Sequence, residues 1–186
     1  VEGILYTLSK LAIHFNEFLP IFIRGYELYS KNIYASDPVV QGGICHGYAG
    51  RLLVYSNALK LDYEKLKFIS NIELLVSDLS SYIDNAEPVK KMIIYCCGMG
   101  SIVDVLEQLV SIPELNSDEN LIKTSTKCRK LMSEIFERYS DPFTLSKYFQ
   151  TTHSYQSMST MSKGVVGLIY PCLRMNGQIE SIYSIK

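Results

Sequence analysis

The hydrophobic positions along the chain follow two alternating patterns, both with a helical period. Short segments that are apolar on nearly every side begin at Gly3, Gly50, Ser101 and Gly167, and the last three starts have a glycine three residues earlier. Between them lie longer segments with one apolar stripe, in which hydrophobic residues recur at steps of three and four. An all-round apolar segment is typical of a buried helix, and a striped segment is typical of a helix that covers it. The alternation therefore predicts buried inner helices paired with amphipathic outer helices.

The outer stripes are clearest in the middle of the chain. One consists of Leu66, Ile69, Ile72, Val76, Leu79 and Ile83, with charged residues such as Lys65 and Glu73 outside it. The next consists of Leu121, Cys128, Leu131 and Ile135. No run of strict alternation is long enough to predict a sheet. We therefore expect an all-α fold, an α/α toroid or solenoid built from helical-hairpin repeats.

Composition narrows the class of protein. The chain has 186 residues, of which 47% are hydrophobic and 20% charged, and these values are typical of one folded domain. Its net charge is −1, and its Lys and Arg residues are scattered, which argues against a nucleic-acid partner. The longest uncharged apolar run, Met92 to Val103, is shorter than the roughly 20 residues of a transmembrane helix. Five cysteines and no visible signal peptide favour the reducing cytoplasm over a disulfide framework.

Two repeat starts carry cysteines at matching positions. When Gly47 is aligned with Gly98, Cys45 falls on Cys96 and His46 falls on Cys97. Side chains that leave equivalent loops of neighbouring stacked repeats meet at one end of the stack, and sulfur and imidazole are ligands that zinc prefers. Taken singly, each cysteine is better explained as a buried apolar residue, and this remains our interpretation of Cys128 and Cys172. The matched set instead predicts a zinc site.

These motifs resemble those of the lanthionine synthetase C-like cyclases, and they are most similar to the C-terminal cyclase domain of class II lanthionine synthetases. The residues on which the resemblance rests are Ile44-Cys45-His46-Gly47, Cys96-Cys97-Gly98 and a tail that runs from Lys163 to Tyr170 and on to Leu173-Arg174-Met175. The resemblance implies an α/α toroid of seven helical layers. Residues 1–186 would form the C-terminal part of that one domain, its last three layers and the remnant of a fourth. The resemblance also implies zinc as the cofactor, with Cys45, Cys96 and Cys97 as its ligands.

The chain departs from the family pattern at several positions. Ile44 stands where the family has tryptophan, and Ser101 stands where the repeat has its second glycine. The family's catalytic histidine would fall before Val1, so the resemblance assigns no catalytic residue to this chain. We expect the chain to be a fragment, because its helical periodicity begins at once.

A second assignment of the metal ligands, which we call the second register, is also possible. Cys45 and His46 could themselves be the paired ligands, with the third ligand upstream. We prefer the first register because only one further repeat follows Cys96 and Cys97. Cys45 is a ligand in both registers, whereas His46 is a ligand only in the second.

The resemblance implies an enzyme of lanthipeptide biosynthesis. Zinc would activate a cysteine thiolate of a precursor peptide, which adds to dehydroalanine or dehydrobutyrine and closes a thioether ring. The expected partners are that peptide, upstream cyclase repeats and a dehydratase domain. Two alternatives are a non-catalytic module that binds a thiol peptide or glutathione, and a repeat scaffold without metal.

The first inner segment, Gly3 to Phe15, has no preceding repeat to cover it. We therefore expect Ile4, Leu5, Leu8, Leu11 and Ile13 to form an exposed apolar seam. Such a seam predicts that the chain alone associates with itself or is poorly soluble, and that alone it closes rings slowly or not at all.

Overall fold

The structure is a computed structural model that describes residues 2–33, 43–44, 47–61, 63–85, 98–141, 144 and 165–179. Within these ranges the chain forms seven α-helices and one short 3-10 helix, and it contains no strand. The α-helices are α1 (Glu2–His14), α2 (Leu19–Ile33), α3 (Tyr48–Ala58), α4 (Lys65–Asn85), α5 (Met99–Val110), α6 (Glu119–Tyr139) and α7 (Val165–Met175), and the 3-10 helix is Asn16–Phe18. The prediction of an all-α protein is confirmed for this part of the chain.

The helices form two packed layers. Helices α1 and α2, α3 and α4, and α5 and α6 pair with each other as hairpins. The first helices of these hairpins pack on one another in chain order, α1 on α3 and α3 on α5, and α7 packs on α5 and α6. On the other side of the hairpins, α4 packs on α6. The layers therefore consist of inner helices α1, α3, α5 and α7 and outer helices α2, α4 and α6.

The inner helices α3 and α5 are buried on nearly every side, as their all-round apolar sequences predict. A cluster of three aromatic rings from α2, α3 and α4 fixes the first two hairpins against each other. The ring centroid of Tyr26 lies 4.9 Å from that of Phe68 and 5.8 Å from that of Tyr55. Asn71 Nδ2 donates a hydrogen bond of 2.8 Å to the hydroxyl oxygen of Tyr26, so the one polar atom of this buried ring has a partner.

The buried stripe of α4 differs from the prediction at its first turn. Leu66 was expected in the stripe but is 82% exposed, whereas Phe68 is fully buried. At about 100° per residue, Leu66 lies about 120° around the helix from Ile72, while Phe68 lies only about 40° from it. The prediction followed a step of three residues through Ile69, which is half-buried, and missed the step of four through Phe68.

Helix α6 has a capped start and a buried stripe. The carboxylate of Asp118 accepts hydrogen bonds from the backbone N–H groups of Asn120 and Leu121, at 2.9 and 3.1 Å. Of the predicted stripe, Leu121, Cys128 and Ile135 are buried and Leu131 is half-buried. No helix in the described ranges is both long enough and apolar enough to cross a bilayer.

The expected exposed seam on α1 is only partly present. Ile4 is 67% exposed, whereas Leu5 is buried, so the expectation for Leu5 was wrong. Leu5 is covered because Gly25 of α2 has no side chain: a β-carbon there would lie 3.1 Å from Leu5 Cδ2. Leu8 and Leu11 are half-buried.

The two faces of α4 can be compared by truncating Phe68 or Leu66. We expect Phe68→Ala to lower the free energy of unfolding by about 3 to 5 kcal/mol, because it leaves a cavity in the aromatic cluster. Leu66→Ala should change it by less than about 0.5 kcal/mol, because the side chain is exposed. Urea unfolding followed by circular dichroism measures both values, and equal losses would show that the buried face of α4 is assigned wrongly.

Candidate functional site

The sequence predicts a metal site in two segments, one before α3 and one before α5. The predicted ligands Cys45, Cys96 and Cys97, and the alternative ligand His46, lie outside the described residues. The described ranges themselves contain no group of three or more His, Cys, Asp or Glu side chains that could hold a metal ion. The structure does describe the framework next to these segments, which begins with Ile44 and the first turns of α3 and α5.

The chain just before Cys45 lies against the first turn of α3. A β-carbon on Gly50 would be 2.2 Å from the carbonyl oxygen of Ile44 and 3.1 Å from its carbonyl carbon. The atoms that would clash belong to the backbone and cannot rotate away, so this approach requires glycine. Gly50 is the second glycine of its repeat start, and two backbones approach each other closely there. Cys45 follows directly after the residue that is held in this way.

Helices α3 and α5 begin in the same backbone conformation. Their N-cap residues are Gly47, with φ −143° and ψ −167°, and Gly98, with φ −122° and ψ −164°. The first N–H groups of each helix have no intrahelical acceptor, and the partial positive charge at a helix N-terminus lowers the pKa of a nearby cysteine. Both helices therefore begin with N–H groups that carry a partial positive charge.

Ser101 takes the place of the second glycine in α5. Its hydroxyl is fully buried and donates a hydrogen bond of 3.2 Å to the carbonyl oxygen of Gly98. The side chain is thus turned back onto the cap of its own helix. This departure from the repeat pattern adds a hydrogen bond at the start of α5.

Tyr48, the first residue of α3, is buried beside this helix start. Its pKa is raised, chiefly by burial and next by the negative charge of Asp78, while the positive charge of Arg51 opposes the shift. The Tyr48 ring packs on Tyr82 with 5.5 Å between centroids. The phenol therefore stays protonated at neutral pH, three residues after Cys45 in the sequence.

Buried polar side chains link each inner helix to the one before it. Asn57 Nδ2 of α3 donates to Ser9 Oγ of α1, and Gln108 Nε2 of α5 donates to Ser56 Oγ of α3, both over 3.4 Å. Asn57 and Gln108 occupy the same position relative to their repeat starts, and so do Ser9 and Ser56. We call these two hydrogen bonds rungs. The same rung thus joins α1 to α3 and α3 to α5.

The last inner helix is joined by an ion pair at the corresponding position. Arg174 of α7 matches Asn57 and Gln108 in the repeat, and its Nε donates to Asp104 Oδ1 of α5 over 3.0 Å. The hydroxyl of Tyr170 donates to the other oxygen, Asp104 Oδ2, over 3.2 Å. Asp104 is fully buried, so both partners are needed to offset the cost of removing a carboxylate from water.

A second arginine holds the end of α7 from the outer layer. Arg129 Nη1 of α6 lies 3.0 and 3.1 Å from the two carboxylate oxygens of Glu107 on α5. Its Nη2 donates to the carbonyl oxygen of Met175, the last residue of α7, over 2.8 Å. Asp104 and Glu107 lie one helical turn apart on α5. Both carboxylates of this turn therefore help to hold the C-terminal helix.

Sequence reasoning missed Asp104, although a signal for it is present. It is the one charged residue in the buried run Ile102 to Leu106 of an inner helix. A charge predicted to be buried must have a partner. That partner, Arg174, lies 70 residues away, and helical periodicity does not specify contacts of that range.

The two described cysteines behave as packed apolar residues. Burial raises the pKa of the Cys128 thiol to about 12, and it also raises the pKa of Cys172, which is half-buried. Both thiols stay protonated at neutral pH, and a protonated thiol is a poor metal ligand and a poor nucleophile. The interpretation of Cys128 as a core residue is confirmed.

The role of Gly50 is tested by comparison with Gly3, the glycine at the matching repeat position in α1. Gly50→Ala should lower the free energy of unfolding by about 1 to 3 kcal/mol, because the added methyl group meets the Ile44 carbonyl. Gly3→Ala should cause no loss, since nothing lies within 4 Å of the added carbon. Thermal or urea unfolding of the two variants measures the difference. A stable Gly50→Ala variant would show that the chain before Cys45 is not held against α3.

Comparison with known protein families, with curated proteins and with solved structures gives no match to this chain. Its function is therefore inferred from its own residues and their arrangement.

Proposed function

We propose that this chain is part of a zinc-dependent lanthionine cyclase, with Cys45, Cys96 and Cys97 as the metal ligands. The observation that carries the proposal is the matched start of α3 and α5. Each helix begins at an extended glycine, Gly47 or Gly98, and each glycine directly follows a segment that ends in cysteine or in cysteine and histidine. The two helices also pack against each other.

The rungs support the proposal that α3 and α5 begin at the same level of the stack. Ser56 and Gln108, which form one rung, lie at nearly the same distance along the chain from Gly47 and Gly98. In a stack of hairpins that repeat in the same order, successive inner helices run in the same direction. Helices that run in the same direction and touch at equivalent positions begin side by side. The two cysteine segments would then leave the stack at the same end.

The donor set fits zinc. Three thiolates are soft ligands, and zinc with three protein ligands keeps one coordination position open. Zinc bound there would lower the pKa of a substrate thiol, so that a thiolate is available at neutral pH. The chain would contribute the thiolate forms of its own cysteines as ligands. The contact of Gly50 with Ile44 fixes the chain next to Cys45.

The reaction that follows needs no oxidant or reductant. The substrate thiolate forms a carbon–sulfur bond at the β-carbon of dehydroalanine or dehydrobutyrine, and the α-carbon takes up one proton. The product is a thioether ring of lanthionine or methyllanthionine. The resemblance assigns the proton donor to residues outside this chain, and for that reason no catalytic residue is assigned within it.

The proposal includes an α/α toroid as the architecture. Three hairpins stacked with their inner helices together and their outer helices outside, followed by the inner helix α7, support this arrangement. The ion pair of Asp104 with Arg174 supports it too, because it continues the series of rungs to the last helix.

Zinc content tests the proposal. Purified protein should hold about one zinc ion per chain, and replacing Cys96 and Cys97 together with alanine should remove it, because at most one thiolate of the site then remains. Cys172→Ala is the matched control and should keep the metal, since Cys172 is a half-buried thiol in α7. Elemental analysis after dialysis measures all three proteins. Full zinc content in the double variant would reject the assignment.

Two further readouts separate the alternatives. Loss of zinc in Cys97→Ala with retention in His46→Ala is expected for the preferred register, and the reverse would make His46 the ligand. Ring closure is followed as the loss of an alkylatable cysteine in a dehydrated precursor peptide. Zinc-dependent binding of that peptide with no thioether product, even when upstream cyclase repeats are supplied, would identify a thiol-peptide-binding module instead.

A further inference from the structure

Helix α7 has a proline in its interior. Pro171 lies inside this helix of 11 residues. Because proline has no backbone N–H group, the helical hydrogen bond to the carbonyl oxygen four residues earlier is missing, and the proline ring crowds that oxygen. A helix of this length is marginal in water even without a proline. The contacts that α7 makes with its neighbours therefore keep it helical.

The junction of α7 with α5 contains a buried ion pair. Arg174 Nε donates to Asp104 Oδ1 over 3.0 Å, and the hydroxyl of Tyr170 donates to the other carboxylate oxygen. Asp104 is fully buried, and the Arg174 side chain is only 17% exposed. Such a pair fixes the position of two elements, but it contributes little net free energy to holding them together, because both charges regain water when the elements separate. The ion pair therefore specifies where α7 docks without holding it tightly.

A groove lies between α7 and its other neighbour, α6. It has a volume of about 420 Å³, and its lining includes Phe136 of α6 and Ile169 of α7. These two side chains are 38% and 43% exposed. At one end of the groove Arg129 of α6 donates to the carbonyl oxygen of Met175. Apolar packing between α6 and α7 is therefore incomplete, and a charged side chain bridges the two helices.

We propose that α7 is a strap that opens by local unfolding while helices α1 to α6 stay folded. Local openings occur in elements that have few buried apolar contacts, and a proline lowers the stability of this helix further. In the open state Asp104 and Arg174 are both hydrated, and the side of α5 that carries Asp104 is uncovered. Closing restores a single position, because the buried carboxylate is satisfied only when Arg174 and Tyr170 reach it. The proposal stands whether or not the chain binds zinc.

Two cysteines are built-in probes of this motion. Cys172 is a half-buried residue of α7, whereas Cys128 is fully buried in α6. Pulses of iodoacetamide on the full chain, followed by peptide mass spectrometry, give an alkylation rate for each thiol. Cys172 should react at least about 100-fold faster than Cys128. Its rate should hardly depend on low concentrations of urea, because a local opening exposes little surface.

Weakening the ion pair should favour the open state. Arg174→Gln should accelerate alkylation of Cys172 by at least about tenfold, because Asp104 loses its charged partner in the closed state only. Tyr170→Phe removes a single hydroxyl group and should accelerate it by roughly threefold or more. Cys128 should accelerate by the same factor in each variant, since the closed state is the reference for both local opening and global unfolding.

A substitution in the core of α4 is the matched control. Ile72→Val should accelerate Cys128 by roughly three- to tenfold and leave Cys172 unchanged, because this core is intact in both the closed and the open state. Equal acceleration of both thiols by Ile72→Val would overturn the proposal, since α7 would then open only with the whole chain. So would a Cys172 rate that neither Arg174→Gln nor Tyr170→Phe changes, because the thiol would then react in the closed state. Circular dichroism verifies folding, and Tyr170→Phe alone decides if Arg174→Gln does not fold.

Discussion

In this structure each of the inner helices α3, α5 and α7 is joined to the inner helix before it by a polar side chain. Asn57, Gln108 and Arg174 occupy the same place in successive repeats, and each donates to a buried acceptor on the helix before it. Apolar packing alone tolerates a shift along the helix axis, because one aliphatic side chain can replace another. A buried carboxylate such as that of Asp104 does not tolerate it, since a lost partner leaves the charged group unpaired at a cost of at least about 1 to 3 kcal/mol.

The donors differ in length and charge according to the acceptor that each one reaches. The amides of Asn57 and Gln108 meet serine hydroxyls at matching positions, whereas the longer Arg174 reaches Asp104, which lies one turn earlier in the repeat. The last junction is therefore an ion pair, and Arg129 adds a second one through Glu107. Alignment of the inner helices is what gives the glycine starts of α3 and α5 their importance. If the helices are aligned, Gly47 and Gly98 lie at one end of the stack, as the proposed zinc site requires.

Much of the fold could be predicted because it depends on local patterns. All-round apolar segments identified α3 and α5 as buried helices. The errors arose where contacts between elements decide burial. Leu66 follows a step of three residues but lies off the centre of the buried face, whereas Phe68 lies near that centre and meets the rings of Tyr26 and Tyr55. Leu5 is buried because Gly25, on another helix, makes room for it.

For the candidate site, the grouping of residues could be predicted from the sequence, but the long-range contacts could not. Matching the two repeat starts was enough to group Cys45 and His46 with Cys96 and Cys97 as a hypothesis, because residue type and spacing are properties of the sequence. The three cysteines were chosen as ligands from the family resemblance. Asp104 could not be paired with Arg174 in this way, since the two residues are far apart in the chain and meet only through the packing of α7 on α5.

In the proposed site, aligned helix starts bring three cysteine sulfurs from two repeats to one metal ion. X-ray absorption at the zinc edge measures this directly, because it counts the sulfur neighbours of the bound metal. Three sulfur ligands at roughly 2.3 Å, with a single lighter atom completing the coordination, are expected. A zinc ion surrounded by nitrogen and oxygen alone, or by a single sulfur, would contradict the claim.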